Sequence, residues 1–309
     1  MFNHALMGSL MRRAVPVDPG DYWVQVADFG GGVRRSIAHT VTDAGVGYAG
    51  TGRPNSSTRA KDLWSYDNVL NTWEQKADFP GTARTYATMF SIGEDVYLGG
   101  GHDSANKADY YKYTPANNSW VSIADFAGAA RYGKVGFTLN NKGYVGAGYR
   151  FAPSVQHFSD FWCYDPDINT WSQVASYIDS VMLPFVTIHD GKAYVGGGDE
   201  STGFAVYDAD ANTWTPKANL LFSIHAGVAF SAGGFIYAGL GRSAVNGTYH
   251  DIFVRYNIPE DTWEAQETVL PILRAEAMYL PLLTGVIIGA GREDGVYSTA
   301  SVHKYVPPA

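Results

Sequence analysis

Asn71-Thr72-Trp73, Asn118-Ser119-Trp120, Asn169-Thr170-Trp171, Asn212-Thr213-Trp214 and Asp261-Thr262-Trp263 are near-copies of one phrase. With an earlier copy of the tryptophan at Trp23, the gaps are 50, 47, 51, 43 and 49 residues. A period in this range marks supersecondary units that bury their apolar faces only against one another. Outward from each tryptophan the pattern extends. After Trp73 comes Ala77-Asp78-Phe79-Pro80-Gly81, then an apolar run to Phe90, a polar Gly93-Glu94-Asp95 turn, and Val96-Tyr97-Leu98 leading into Gly99-Gly100-Gly101. A variable loop, the run Tyr110-Tyr111-Lys112-Tyr113 and a Pro115–Asn118 turn complete the unit. Alternating apolar runs bounded by Gly, Pro, Asn and Asp read as four short antiparallel strands, with the tryptophan on the fourth.

The other units repeat these features. Glycines close strand 2 at Gly50/Gly52, Gly99–Gly101, Gly146/Gly148, Gly196–Gly198, Gly239/Gly241 and Gly289/Gly291. A strand-3 tyrosine stands seven residues before each later tryptophan: Tyr66, Tyr113, Tyr164, Tyr207 and Tyr256. These aromatics are the right size to fill the wedge between neighbouring sheets. The last unit stops after three strands at Tyr305, whereas Tyr22-Trp23-Val24-Gln25-Val26 is an orphan fourth strand. The expectation is an all-β six-bladed β-propeller, residues 22–306, in which the N-terminal strand completes the last blade and removes the exposed edges. Residues 1–21 stand outside the repeat as an N-terminal extension with no apolar signal-peptide core.

Composition bounds the function. A net charge of −8 argues against nucleic acid as a partner. The single cysteine, Cys163, excludes an internal disulfide framework or a CxxC metal site. No apolar run approaches the ~20 residues that span a bilayer. The eight histidines lack HxxxH or HExxH spacing, so neither a metal nor a cofactor is expected. The chain is read as monomeric.

The double glycine, the paired Tyr and Trp, and the period together resemble the Kelch repeat across residues 22–306. The phrases at Ala77–Gly81 and Gly143–Gly146 are similar to bacterial extracytoplasmic Kelch proteins, which implies a periplasmic or extracellular location. Kelch propellers also carry copper-radical oxidases, but Cys163 between Trp162 and Tyr164 comes without an assignable set of ligating histidines.

Strand direction locates a face. The 4–1 connections and the 2–3 loops emerge on one side, and the latter vary as binding loops on a rigid scaffold do. Eleven residues after each tryptophan stand Arg34, Arg84, Arg131, Met182, His225 and Arg274. After the strand-2 glycines stand Arg53, His102, Tyr149, Asp199, Arg242 and Arg292. Seven of these twelve positions are arginine, in a chain with thirteen, which points to a cluster of guanidinium forks suited to carboxylates. The first ring also has a structural reading, because arginine there can satisfy carbonyls or pair with a nearby Asp. Glu276, two residues beyond Arg274, is the exceptional carboxylate; Ser36, Tyr86, Gly133, Pro184 and Gly227 stand at the matching positions. It and His225 are candidates for acid–base work, or Glu276 is a neutralising partner for Arg274. Tyr86, Tyr132, Tyr149, Phe151 and Phe222 add aromatic surface.

Three functions follow as expectations. The first is a binding module for an acidic protein segment or acidic glycan at the arginine-rich mouth. The second rests on resemblance to six-bladed Kelch sialic acid epimerases (mutarotases), with Glu276 or His225 moving the proton. The third is a scaffold whose arginines are structural.

Overall fold

The computed structural model describes residues 22–151, 153–266, 273–282, 284–293 and 296–306; the N-terminal extension lies outside them. Six four-stranded antiparallel sheets form the blades. Blade 1 runs outward through Ala38–Val41, Gly47–Gly50, Leu63–Asp67 and Thr72–Lys76, and blade 2 through Thr88–Ile92, Asp95–Gly99, Tyr110–Thr114 and Ser119–Ser122. Blade 3 comprises Val135–Leu139, Lys142–Gly146, Phe161–Asp165 and Thr170–Val174; blade 4, Phe185–His189, Lys192–Gly196, Phe204–Asp208 and Thr213–Pro216; blade 5, Val228–Ala232, Phe235–Gly239, Phe253–Asn257 and Thr262–Gln266. Blade 6 takes Met278–Leu282, Gly285–Gly289 and Val302–Val306 from the end of the chain and Tyr22–Val26 from its start. The closing pair runs from Tyr22 opposite Val306 to Val26 opposite Val302, as the orphan strand predicted.

The repeated phrase is a latch between blades. Asn118 adopts φ 48°, a left-handed conformation that Asn tolerates better than most residues. Its Oδ1 accepts from Tyr113 OH and from the Ala77 N–H of the preceding connection, both at 2.8 Å, while Trp120 Nε1 donates to Ala77 O at 2.9 Å. Asn71, Asn169, Asn212 and Asp261 likewise accept from the N–H of Ala27, Ala124, Ala175 and Ala218 and from the hydroxyls of Tyr66, Tyr164, Tyr207 and Tyr256. Trp73, Trp120, Trp171, Trp214 and Trp263 thus each sit where one blade grips the connection leaving the previous one. Six apolar clusters fill the wedges between adjacent blades, for example Phe204, Leu220, Ile236, Tyr256 and Trp263 between blades 4 and 5.

At the end of the channel that carries the 4–1 connections, the inner strands are joined by a closed circle of backbone hydrogen bonds. Ser36 N–H donates to Glu276 O (3.1 Å), Tyr86 to Ser36 (3.3 Å), Gly133 to Tyr86 (3.4 Å), Leu183 to Gly133 (2.9 Å), Ala226 to Leu183 (3.2 Å) and Glu276 to Ala226 (2.9 Å). All six have positive φ, from 54° to 65°. Beyond the circle the inner strands surround a channel of about 510 Å³.

Candidate functional site

The circle fixes the register of the mouth and corrects one alignment. Leu183 and Ala226, not Pro184 and Gly227, are the counterparts of Glu276. Blades 4 and 5 reach the circle with one residue fewer after their preceding tryptophans, Trp171 and Trp214, than blade 2 does after Trp73. Val181 and Ile224 therefore take the places of Arg34, Arg84, Arg131 and Arg274: Gly148 and Gly198 N–H donate to Val181 and Ile224 O as Gly52, Gly241 and Gly291 do to Arg84, Arg274 and Arg34. Met182 and His225 belong one position further along, facing Asp199 and Arg242.

The four arginines of the first ring lie inside the wall. Arg34, Arg84, Arg131 and Arg274 are 6%, 1%, 0% and 2% exposed. Arg84 forms a two-pronged pair with Asp109 at 2.6 and 2.8 Å and donates to Gly100 O and Thr82 O. Arg131 pairs with Asp160 at 2.6 Å, and Arg34 with Asp62 at 2.5 Å. Arg274 reaches Glu293 and the carbonyls of Ala290 and Ser301. Three of the guanidiniums also lie over the phenylalanine of the preceding connection: Arg34 on Phe29, Arg84 on Phe79 and Arg131 on Phe126. Burial pushes Arg131 down and Arg274 down to about 10, with Asp160 and Glu293 opposing that shift. Arginine is needed here because one planar fork can satisfy a carboxylate and carbonyls from two strands at once.

Glu276 is buried at 8% exposure. Its carboxylate accepts from Ser36 Oγ, from Tyr86 OH at 3.0 Å and from Arg35 Nη1 at 3.3 Å. Its charge partner is therefore Arg35, not Arg274. Burial, then the Glu276 charge, pushes the Tyr86 phenol up. Arg35 also stacks on Tyr297 at 4.1 Å. Neither Arg35 nor Tyr297 stood out in the repeat, because both fall outside the two positions compared across units.

Around this floor stands the second ring. Arg35 pairs with Arg53, Thr85 with His102, Tyr132 with Tyr149, His225 with Arg242 and Ala275 with Arg292 across local bridges. Arg53 folds its fork onto its own loop, donating to the carbonyls of Asn55 and Ser56. His225 is 4% exposed, lies 3.5 Å from an Asp199 oxygen, and has its pKa lowered by burial. Asp199 also meets His157 Nε2 at 3.2 Å. Tyr86 and Tyr132 (5.7 Å), Tyr132 and His102 (5.3 Å), Tyr132 and Tyr149 (5.4 Å), and Tyr149 and His157 (4.9 Å) form a continuous aromatic arc. His102 is pushed down by burial and then by Arg59 and Arg53, so blade 1 brings positive charge to the arc.

Among the described residues, the side chains of Arg59, Arg242 and Arg292 make no hydrogen bond or ion pair. The Nε atoms of Arg59 and Arg242 are buried without a partner. Arg59 could not be found by comparing units, because it lies mid-loop where the repeats have no common length. The described residues contain no group of His, Cys, Asp or Glu able to hold a metal, and no helix long and apolar enough to cross a membrane.

A model of the Kelch motif matches residues 130–176, which run from the first-ring arginine of blade 3 past its tryptophan. The same latch recurs in blades 1, 2, 4 and 5. The chain is a six-bladed propeller that carries a Kelch motif in blade 3. The solved structure of YjhT is similar to it, with a TM-score of 0.76 and 18% identity over 92% of this chain and 99% of that one, a likeness of fold. No curated protein matches the sequence. The first-ring arginines brace the blades, and the second ring stands around Glu276 at the mouth.

Proposed function

We propose that this propeller is a binding module whose mouth, on the face of the 4–1 connections and 2–3 loops, captures an anionic ligand. The observation that carries this reading is the trio Arg59, Arg242 and Arg292. Among the described residues these three guanidiniums make no hydrogen bond or ion pair, and on a chain of net charge −8 their forks suit oxyanions. The aromatic arc offers flat apolar surface near Arg59, the pairing that an acidic glycan or an acidic side chain requires. A thermal-shift screen of carboxylated sugars and acidic peptides tests it. An acid that stabilises the wild type but not Arg292→Ala supports the site; stabilisation unchanged in that variant removes it.

The floor favours a second reading, a mutarotase or epimerase acting on a carboxylated sugar such as sialic acid. Glu276 and Tyr86 share a hydrogen bond at the inner end of the mouth, and a carboxylate beside a phenol can pass a proton to and from a sugar hydroxyl. Exchange spectroscopy of the anomers decides between the two. Faster interconversion with wild type than with Glu276→Gln supports catalysis, and equal rates leave binding alone.

A further inference from the structure

We propose that the opposite end of the channel carries a nucleophilic serine, Ser231, activated by His189 and suited to small acyl esters. Ser231 is on the inner strand of blade 5 and lines the channel. His189 closes the inner strand of blade 4, and Asp190 follows it in the turn. Ser231 Oγ and His189 Nδ1 are 2.6 Å apart, and His189 Nε2 is 3.3 Å from Asp190 Oδ2. A carboxylate at Nε2 favours the tautomer protonated there, which leaves the Nδ1 lone pair to take the serine proton. The serine and histidine are both partly open to solvent.

Register supplies a further donor. Gly233 and Gly234, with φ of 56° and 80°, make a two-residue hairpin turn closed by Ala232 and Phe235. Antiparallel pairs alternate, so Ser231 opposite Ile236 is a pair without ladder hydrogen bonds, and its N–H points from the open edge of the inner strand. The same count on blade 4 leaves Val186 O open, and Tyr279 OH does take it at 2.8 Å. Ser231 thus carries a free-edge amide next to its own hydroxyl, where negative charge on a carbonyl oxygen under attack develops. Ser91, at the corresponding position of blade 2, differs: its hydroxyl donates to Val41 O at 2.7 Å and meets no histidine.

The step balances with water as the only co-reactant. Ser231 Oγ bonds to the ester carbonyl carbon while its proton passes to His189 Nδ1. The carbon–oxygen bond to the alcohol then breaks, and the alcohol leaves with that proton. Water repeats the sequence on the acyl-serine, releasing the acid and restoring Ser231. Asp190 is a positioning residue whose side chain is 90% exposed, so its contribution is modest.

Labelling with a fluorophosphonate probe, followed by peptide mapping, tests the proposal together with p-nitrophenyl acetate hydrolysis. The expected result is one adduct on Ser231, retained in Ser91→Ala. The esterase rate is expected to fall about 100-fold in both Ser231→Ala and His189→Gln, and Asp190→Asn is expected to lower kcat with KM unchanged. A folded wild type that takes no label, or label that persists in Ser231→Ala, overturns it.

Discussion

Arg84 and Asp109 meet in a two-pronged pair at 2.6 and 2.8 Å that ties the start of one inner strand to the third strand of the same blade. The guanidinium is 1% exposed and the carboxylate 30%. Asp109→Ala strands a buried cation. The expected loss in denaturant unfolding is about 2–3 kcal/mol, below the roughly 3–5 kcal/mol of a fully enclosed pair because Asp109 keeps some solvent. Arg84→Leu combined with Asp109→Ala should recover part of that loss. A single Asp109→Ala variant as stable as wild type would refute the bracing role.

Lys134 is the least comfortable charge in the fold. Its Nζ donates to Arg131 O at 2.9 Å, and burial, then Arg131 and Arg84, hold its pKa well below the usual lysine value. A lysine depressed on folding binds fewer protons folded than unfolded between its two pKa values, so stability rises with pH across that window. Lys134→Met should therefore unfold at a higher temperature than wild type at pH 7, with the gap narrowing towards pH 10. A lower melting temperature for the variant at both pH values would contradict this.

The latch predicts a chemical preference at Asn118. Ala removes both contacts and strains the left-handed backbone, so Asn118→Ala should cost about 1–3 kcal/mol. Asn118→Asp should cost less than about 1 kcal/mol, because Asp261 accepts from Ala218 N–H and Tyr256 OH in blade 5. Melting curves of the two variants distinguish them.

His39 gives the propeller an acid-sensitive point in the channel wall. Burial lowers its pKa from 6.5 to about 4, only partly offset by its contact with Ile37 O, and its ring packs against Tyr279 at 4.6 Å. The unfolded chain takes up this proton first as pH falls, so stability present at neutral pH is lost between about 6.5 and 4. His39→Phe should flatten the melting-temperature profile in that interval while leaving carboxylate losses below it.

The blades, their number and the closing strand were all legible in the sequence, because each rests on residues with one demanding job. Trp120, Asn118 and Tyr113 recur since the latch is rebuilt at five of the interfaces. The site was less legible. Counting from the tryptophans put Met182 and His225 in the arginine ring, and only the hydrogen-bonded circle through Leu183 and Ala226 shows the shorter connections. Frequency also misled: arginine repeats at Arg34, Arg84, Arg131 and Arg274 because the scaffold needs it there. Arg59 and Tyr297 carry no periodic signal because they lie in variable loops, and Arg35 stands out in no alignment because its repeated position holds Thr85, Tyr132, His225 and Ala275 in other blades. His189 and Ser231 sit on different blades, a proximity that register creates.

The most direct measurement is calorimetric titration with uronic acids, sialic acids and glutamate-rich peptides, each beside an uncharged analogue, on wild type, Arg59→Ala and Arg242→Ala. The account predicts saturable binding of at least one acid, weakened by salt and lost in both variants at unchanged melting temperature. If no acid binds, or if binding survives both substitutions, the mouth is not an anion site.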